Sequence, residues 1–487
     1  MRVRSVIRYN KEKLRDKIYA CWLGKNIGGT IGAPYEGTTE FLNVTGFNSA
    51  PGTPLPNDDL DLQLMWLAAM EFEGPWYFNS RTLGEYWLMG VDPNWSEYGE
   101  AKANLRDGVP APLSGELYNK KWRNSNGAWI RSELWACLAP GLPSIACEYA
   151  FQDASVDHGM GEGTYAELFT ATLESSAFFI SDPRAVILKG LKSVPETSRV
   201  YKAVKLVLDE FDKGTDYKTV RDMLVAQSED IGWFQAPANL GFVAIGLLYG
   251  GGDFKKSVLY AVNCGDDTDC TGATVGSIMG IMHGTEGIPE DWAEYVGDKI
   301  DFICINTMYR YAIPKTCTEL TDRVMRLLPV VLYAHHLMLE WSDADEIPEP
   351  FRPFDPLAVE RRERYNFELP HTPYLFGYGA YDREPIISAG EEIKLILNVT
   401  SGTDNRAYAG ENVHDTVNYS VKLILPDGWN AVYGKTLHVR NYSPGEDTAY
   451  WAATVTAGET AAVNHVYAVL ESPARNNSLI VDFVIKG

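Results

Sequence analysis

A chain of 487 residues is longer than one hydrophobic core usually supports, so at least two domains are expected. Its hydrophobic fraction of 45% and charged fraction of 22% are typical of a globular protein and exclude a disordered one. The formal net charge of −22 repels nucleic-acid phosphates and anionic membranes, so neither is an expected partner. A small anionic ligand stays compatible with this charge if a metal ion supplies local positive charge.

The sequence also carries expectations about location. Residues 1–10 lack the apolar segment of a signal peptide, and no apolar run reaches the roughly 20 residues that span a membrane. Seven cysteines without a CxxC motif indicate neither a disulfide framework nor a zinc site. We therefore expect a cytoplasmic protein, whereas its oligomeric state stays open.

From residue 11 to residue 341, apolar residues recur three and four positions apart, which is typical of helices. The clearest predicted helices lie at residues 165–179, 184–192, 199–211, 217–226 and 254–262. No convincing strand interrupts them. The pattern predicts one large all-α domain at residues 1–345.

Two rows of glycine have helical spacing. Gly24, Gly28 and Gly32 lie four apart on the first predicted helix, and a second row occupies residues 272, 276 and 280. A glycine row on one helix face allows another backbone to approach closely. The two helices are therefore predicted to form a tight central pair.

Two acidic motifs each precede a helix, Asn57-Asp58-Asp59-Leu60-Asp61 and Asp266-Asp267-Thr268-Asp269. A single aspartate pair at a helix start is usually a cap. Two such motifs are harder to explain as caps, because carboxylates that meet repel one another unless a cation neutralises them. Such oxygen ligands suit Mg²⁺, Mn²⁺ or Ca²⁺ rather than zinc. Asp61 is expected to face solvent.

The C-terminal part of the sequence has a different pattern. Six prolines between residues 346 and 373 predict a connector without regular structure. Beyond it, apolar and polar residues alternate, as at residues 393–399, 417–425 and 479–485, with turn signals between the runs. Residues 374–487 are therefore predicted to form a β-sandwich of the immunoglobulin-like kind.

Several of these motifs, taken in chain order over residues 11–330, resemble the ADP-ribosylglycohydrolase family. The glycine-rich helix that ends near Glu36, the pair Asp58-Asp59 and the segment Asp267-Thr268-Asp269 resemble its opening and metal motifs. Asn126-Gly127 and Asp157-His158 resemble two segments between them. Among these motifs, Asp267-Thr268-Asp269 is the most specific to the family, and a helix of small residues follows it.

The resemblance implies an all-α domain that hydrolyses a bond at the anomeric carbon of ribose with two Mg²⁺ ions, which Mn²⁺ can replace. It implies these metal ligands: Asn57, Asp58, Asp59, Asp267, Asp269 and Thr271. It implies catalytic roles for Asp269 and Glu36. It implies substrate binding by Glu36, Asn126, Gly127, Asp157 and His158. Metals can orient ribose hydroxyls and lower the pKa of water while a carboxylate removes the proton.

Three positions depart from the family pattern. Asn57 and Cys270 stand where the family has threonine, and Gly29 where it has an acidic residue. Sulfur is a poor magnesium ligand, so Thr271 or Thr268 replaces Cys270, or one metal position is weakened. These departures concern the substrate more than the reaction class.

Other functions compatible with the sequence remain open. Isoprenoid synthases also pair aspartate motifs in an all-α fold, but the sequence Asp-Asp-Leu-Asp differs from their Asp-Asp-x-x-Asp. A ligand-binding protein without turnover is the alternative that Cys270 raises. A glycosidase for a furanoside other than ADP-ribose is the alternative that the sandwich raises, since residues 425–429 resemble modules of carbohydrate-active enzymes.

Overall fold

The computed structural model describes residues 5–52, 54–76, 78–347, 365–366, 375–401, 416–440, 448–472 and 475–487. The chain divides into two compact units, Met1–Phe354 and Asp355–Gly487. Most of the connector expected at residues 346–373 lies outside the described residues, so this connector and the domain limits drawn from it stay predictions.

The described part of the first unit is built mainly of helices, as predicted. These are α1 Lys11–Gly32, α2 Asp58–Glu73, α3 Ser80–Gly90, α4 Ser96–Arg106, α5 Leu113–Glu116, α6 Glu133–Leu138, α7 Pro143–His158, α8 Glu162–Ala177, α9 Pro183–Gly190, α10 Arg199–Lys213, α11 Tyr217–Gln227, α12 Ala236–Tyr249, α13 Phe254–Asn263, α14 Thr268–His283, α15 Glu290–Val296 and α16 Cys317–Ala334. Among the described residues, none of the helices combines the length and the apolar character that crossing a bilayer requires.

One part of the helical prediction is wrong. Helix α16 ends at Ala334, and Leu337–Trp341 forms a strand, β2, that pairs in parallel with β1, Ser5–Tyr9. His336 has a positive φ of 64°, which turns the chain out of the helix. The partner strand lies at the opposite end of the unit's sequence, so local spacing at residues 337–341 could not reveal it.

The predicted central pair is confirmed by α1 and α14. A Cβ atom at Gly24, Gly28 or Gly32 would overlap a backbone carbonyl of α14. These carbonyls belong to Gly276, Gly272 and Thr268, in that order. Because rising numbers on α1 meet falling numbers on α14, the helices run antiparallel. The packing therefore brings the end of α1, and Glu36 just beyond it, beside the start of α14.

The described part of the second unit is built of β-strands, as predicted. They are β3 Tyr365–Asn366, β4 Leu375–Tyr381, β5 Glu392–Ser401, β6 Thr416–Ile424, β7 Asn430–Tyr433, β8 Thr436–Arg440, β9 Thr448–Thr456, β10 Val463–Ser472 and β11 Arg475–Lys486. They form a sheet in the order β3-β11-β10-β6-β8 and a second in the order β4-β5-β9-β7. One core contains residues of both sheets, such as Leu397 and Val455 from one and Val421 and Phe483 from the other. This shared core confirms a sandwich, while its immunoglobulin-like character stays a prediction.

Candidate active site

The two acidic motifs meet where α2 and α14 begin. Ligand atoms of Asp59, Asp269 and Cys270 lie within 4.8 Å of one another. A second group with the same spacing contains Glu36, Asp267 and Asp269. Asp269 thus belongs to both groups, and residues far apart in sequence form one acidic cluster.

Three carboxylate oxygens of this cluster are buried and accept no hydrogen bond from any residue in the described part of the chain. They are Asp59 Oδ2, Asp267 Oδ1 and Asp269 Oδ1. Leaving a buried charged oxygen without a donor costs more than leaving an exposed one, because water cannot replace the donor. These oxygens are therefore available to a cation.

The carboxylates of the cluster also raise one another's pKa. Burial, and then the charge of Asp59, raises the pKa of Asp267 to about 8. Burial, and then the neighbouring carboxylates, raises the pKa of Asp59 and Asp269 well above the usual range. Both effects disfavour the charged forms in the absence of a cation. A divalent ion among these groups would remove the repulsion.

A pocket of about 320 Å³ opens onto the cluster. Its lining residues are Glu36, Asp58, Trp95, Ser96, Glu97, Tyr98, Trp122, Ser125, Asn126, Gly127, Ile130, Phe234, Asp267, Asp269 and Cys270. Five of these described residues are acidic, and none is lysine, arginine or histidine. The pocket therefore combines aromatic surface, which suits a sugar or base, with carboxylates, which suit a metal or hydroxyl groups.

Glu36 and Asp58 lie in the pocket lining, as their predicted roles require. Asp58 Oδ2 accepts a hydrogen bond of 2.9 Å from the Tyr98 hydroxyl, which fixes the carboxylate. Burial raises the pKa of Asp58. Glu36 is exposed at the pocket, and partial desolvation together with the charge of Asp58 raises its pKa. Glu36 can therefore exchange protons with solvent.

Asn126 and Gly127 also line the pocket, whereas Asp157 and His158 do not. The Asn126 amide donates to Asp267 Oδ2 over 2.7 Å. Asp157 and His158 are fully buried on α7, behind the pocket residue Ser125, whose Oγ lies 3.1 Å from His158 Nε2. The structure thus brings the first pair to the site and places the second pair one layer behind it.

Asn57 and Cys270, which depart from the family pattern, and the two threonines beside Cys270 each make a defined hydrogen bond. Asn57 caps α2 by accepting a hydrogen bond from the Asp59 amide over 2.8 Å, and it is outside the pocket lining. The hydroxyls of Thr268 and Thr271 donate to backbone carbonyls of Gly32 and Thr268. Cys270 Sγ donates to Asp59 Oδ1 over 3.2 Å. Cys270 therefore orients a carboxylate, whereas both threonine hydroxyls donate to the backbone and keep oxygen lone pairs that could bind a cation.

The expectation that Asp61 faces solvent is wrong. The residue is fully buried, and its Oδ2 accepts hydrogen bonds from the amides of Ile303 at 2.6 Å and Cys304 at 2.5 Å. All residues from Asp59 to Met70 are buried, so this part of α2 has no solvent face, whereas Glu71, Phe72 and Glu73 at its end are exposed. The sequence Leu62–Met70, in which Gln63 is the one polar residue, was a local signal of this burial.

Sequence reasoning missed several pocket residues because no motif marks them. Glu97 lines the pocket with a buried carboxylate, and burial raises its pKa. Its neighbours in the chain, Trp95 and Tyr98, supply aromatic surface. Phe234 enters the pocket because its amide donates to Asp266 Oδ1 over 2.9 Å. These contacts join segments distant in sequence, so only the aromatic content of residues 95–98 was a usable signal.

The donor set of the cluster fits a hard divalent cation. Its free ligand atoms are carboxylate oxygens, which Mg²⁺ and Mn²⁺ prefer, whereas the one sulfur nearby is engaged as a hydrogen-bond donor. The residues that could hold such an ion are Glu36, Asp58, Asp59, Asp267 and Asp269.

Comparisons with known proteins show which family this chain belongs to. The ADP-ribosylarginine hydrolase Tri1 of Pseudomonas putida (strain GB-1) is 29% identical over 92 residues, which are 18% of this chain and 22% of that protein. The chain thus matches about a fifth of that relative's length. A solved ADP-ribosylglycohydrolase-related protein complex aligns with a TM-score of 0.44 and 20% identity, over 66% of this chain and 99% of the other. The family model for ADP-ribosylglycohydrolase matches residues 10–339, most of the chain, and the protein therefore belongs to the ADP-ribosylglycohydrolase family.

Proposed function

We propose that this protein hydrolyses a glycosidic bond at the anomeric carbon of ribose in an ADP-ribosyl substrate, and that the reaction depends on Mg²⁺. Family membership supports the reaction class. The observation that carries the metal dependence is the set of buried oxygens without hydrogen-bond donors on Asp59, Asp267 and Asp269. They lie beside a pocket whose volume and aromatic lining suit a sugar or base.

The proposed metal ligands are Asp58, Asp59, Asp267 and Asp269, with Glu36 at the edge of the set. The group of Glu36, Asp267 and Asp269 supports one ion position, and Asp59 beside Asp269 offers carboxylate oxygens for a second. Bound ions of this kind orient hydroxyl groups and lower the pKa of water. Asn57 caps α2 and the Thr271 hydroxyl donates to the Thr268 carbonyl in the first turn of α14, and the side-chain oxygens of both stay proposed ligands.

The chain's own residues supply proton transfer and orientation. Asp269 is the proposed general base, because its carboxylate lies in the pocket lining beside the proposed ion positions, where one of its oxygens can accept a proton from the attacking water. Glu36, exposed beside it, passes the proton to solvent or takes this role itself. Tyr98 keeps Asp58 in position, and the thiol of Cys270 does the same for Asp59.

The test uses purified full-length protein, stripped with EDTA and then supplied with Mg²⁺ or Mn²⁺. Three substrates are compared: ADP-ribosyl arginine, an O-linked ADP-ribosyl peptide and an aryl ribofuranoside. We expect turnover only after metal is restored, and a loss in kcat on the order of 10²-fold for Asp269→Asn. The control Asp212→Asn alters an exposed ion pair with Arg184 and should leave activity unchanged. Full activity in excess EDTA would overturn the metal dependence.

A second candidate is hydrolysis of a furanoside that lacks the diphosphate. It is favoured by the pocket lining, which contains five acidic residues. Among the described residues, no basic side chain lines the pocket that could neutralise the negative charge of a diphosphate. Turnover of the aryl ribofuranoside alone would support this candidate. Metal binding without turnover of any substrate would instead indicate a ligand-binding protein.

A further inference from the structure

We propose that Asn126 is a positioning residue for the metal ligand Asp267, and that a buried ion cluster holds Asn126 in place. The cluster comprises Arg131, Asp153, Asp157 and His158. The inference rests on the proposed metal site, and it gives Asp157 and His158 a role other than substrate contact.

The orientation of the Asn126 amide is fixed by two partners. Its Nδ2 donates to Asp267 Oδ2 over 2.7 Å, and its Oδ1 accepts from Trp129 Nε1 over 3.1 Å. An indole nitrogen can only donate, so the amide oxygen must face Trp129 and the amide nitrogen must face Asp267. This bond occupies Oδ2 and leaves Asp267 Oδ1 as the free oxygen.

The residue after Asn126 is held by Arg131. The Gly127 carbonyl accepts a hydrogen bond from Arg131 Nη1. The guanidinium is fully buried and bound by Asp157 through two hydrogen bonds of 3.0 and 2.6 Å, and by Asp153 at 2.9 Å. Such a bidentate pair has little rotational freedom, so the position of the Gly127 carbonyl is set by the cluster.

The residue before Asn126 is held from the other side of the same cluster. Ser125 Oγ lies 3.1 Å from His158 Nε2, and His158 Nδ1 lies 3.1 Å from Asp157 Oδ1. Burial alone would raise the pKa of Asp157, but Arg131 and His158 outweigh it and lower this pKa to about 2. Asp157 is therefore ionised, and it lies against Arg131 and His158, the two side chains that contact the neighbours of Asn126.

Asp157 and His158 thus act on the metal site through residues 125–127. Groups that orient a metal ligand typically change metal affinity by about 10- to 100-fold when they are removed. A role in substrate contact would instead change KM and leave metal affinity unaltered. The two roles can therefore be separated by measuring metal binding without substrate.

The first experiment titrates metal-free full-length protein with Mn²⁺ and follows free Mn²⁺ by electron paramagnetic resonance. We expect Asn126→Ala to weaken binding by about 10-fold or more, because Asp267 loses the bond that fixes it. The matched control is Asn104→Ala, a buried asparagine that donates to the carbonyls of Ser114 and Leu117, away from the pocket. Its affinity should equal that of the wild type.

The second experiment tests the cluster through His158. A glutamine at this position can place its amide nitrogen where the histidine Nε2 lies and keep the hydrogen bond to Ser125, whereas alanine cannot. We expect His158→Gln to retain Mn²⁺ affinity better than His158→Ala, and Ser125→Ala to add little to His158→Ala. Circular dichroism confirms that each variant is folded.

The outcomes distinguish the inference from the proposed function. Wild-type protein that binds no Mn²⁺ overturns the metal site, and the inference with it. If folded Asn126→Ala binds Mn²⁺ as tightly as the wild type does, the inference is overturned, whereas the metal site is not. Equal affinities for folded His158→Ala and the wild type overturn the role of the cluster.

Discussion

Replacing Gly28 by alanine tests the contact between α1 and α14 that the whole site depends on. A Cβ atom there would overlap the carbonyl group of Gly272 and lie 2.7 Å from the amide nitrogen of Ala273. Real Cβ atoms essentially never come within 3.0 Å of such neighbours. All of the close atoms are backbone, so no side-chain rotation can relieve the overlap. The two helices would have to separate.

The expected cost follows from this geometry. Overpacking a close-packed core typically costs about 1–3 kcal/mol, and a backbone overlap belongs at the upper end of that range. Alanine also gains up to about 1 kcal/mol over glycine in a helix, which offsets part of the cost. We expect the unfolding free energy of the helical unit to fall by about 2 kcal/mol or more for Gly28→Ala.

The assay is urea unfolding followed by far-ultraviolet circular dichroism, which reports mainly on the helical unit. The control is Gly84→Ala on α3, where the nearest atom to a new Cβ is Leu105 Cδ2 at 3.1 Å, the end of a flexible side chain. We expect this variant to be close to the wild type or slightly more stable. Equal unfolding free energies for the two variants would refute the argument from close helix packing.

Three further predictions follow from the site and the domain division. Burial raises the pKa of Asp61 from 3.8 to about 8, so the folded protein binds a proton there that the unfolded chain releases. The unfolding free energy of the wild type minus that of Asp61→Asn should therefore decrease as pH rises from about 4 to about 8. If this difference, measured by urea unfolding, does not change with pH, the prediction is contradicted. Cys270→Ala should weaken Mn²⁺ binding, because Asp59 loses the hydrogen bond that orients it; an unchanged affinity in a Mn²⁺ titration argues against this. Residues 1–354 expressed alone should be soluble and helical, since the strands beyond have their own core, and an insoluble fragment would show otherwise.

Local sequence determined the elements on which the site is built. The alternation of apolar residues distinguishes the helical unit from the sandwich, because a helix and a strand bury side chains with different periods. The glycine rows at Gly24–Gly32 and at residues 272–280 predicted the contact between α1 and α14, because a helix face without side chains allows another backbone to pack closely against it. The acidic motifs at the starts of α2 and α14 could be recognised in the sequence, because charge and position before a helix are both local properties.

Tertiary structure alone decided how these elements are used. The sequence could not show that Asn126 faces Asp267, because 141 positions separate them and neither residue signals the other. It could not place His158 behind Ser125 rather than in the pocket, since burial depends on which helices cover α7. Asp61 was misplaced for a related reason, because its partners are backbone amides of residues 303 and 304, and any sequence supplies such amides. Residue types reveal which chemistry is available, whereas packing between distant segments determines which side chain meets the substrate, the metal or only its neighbours.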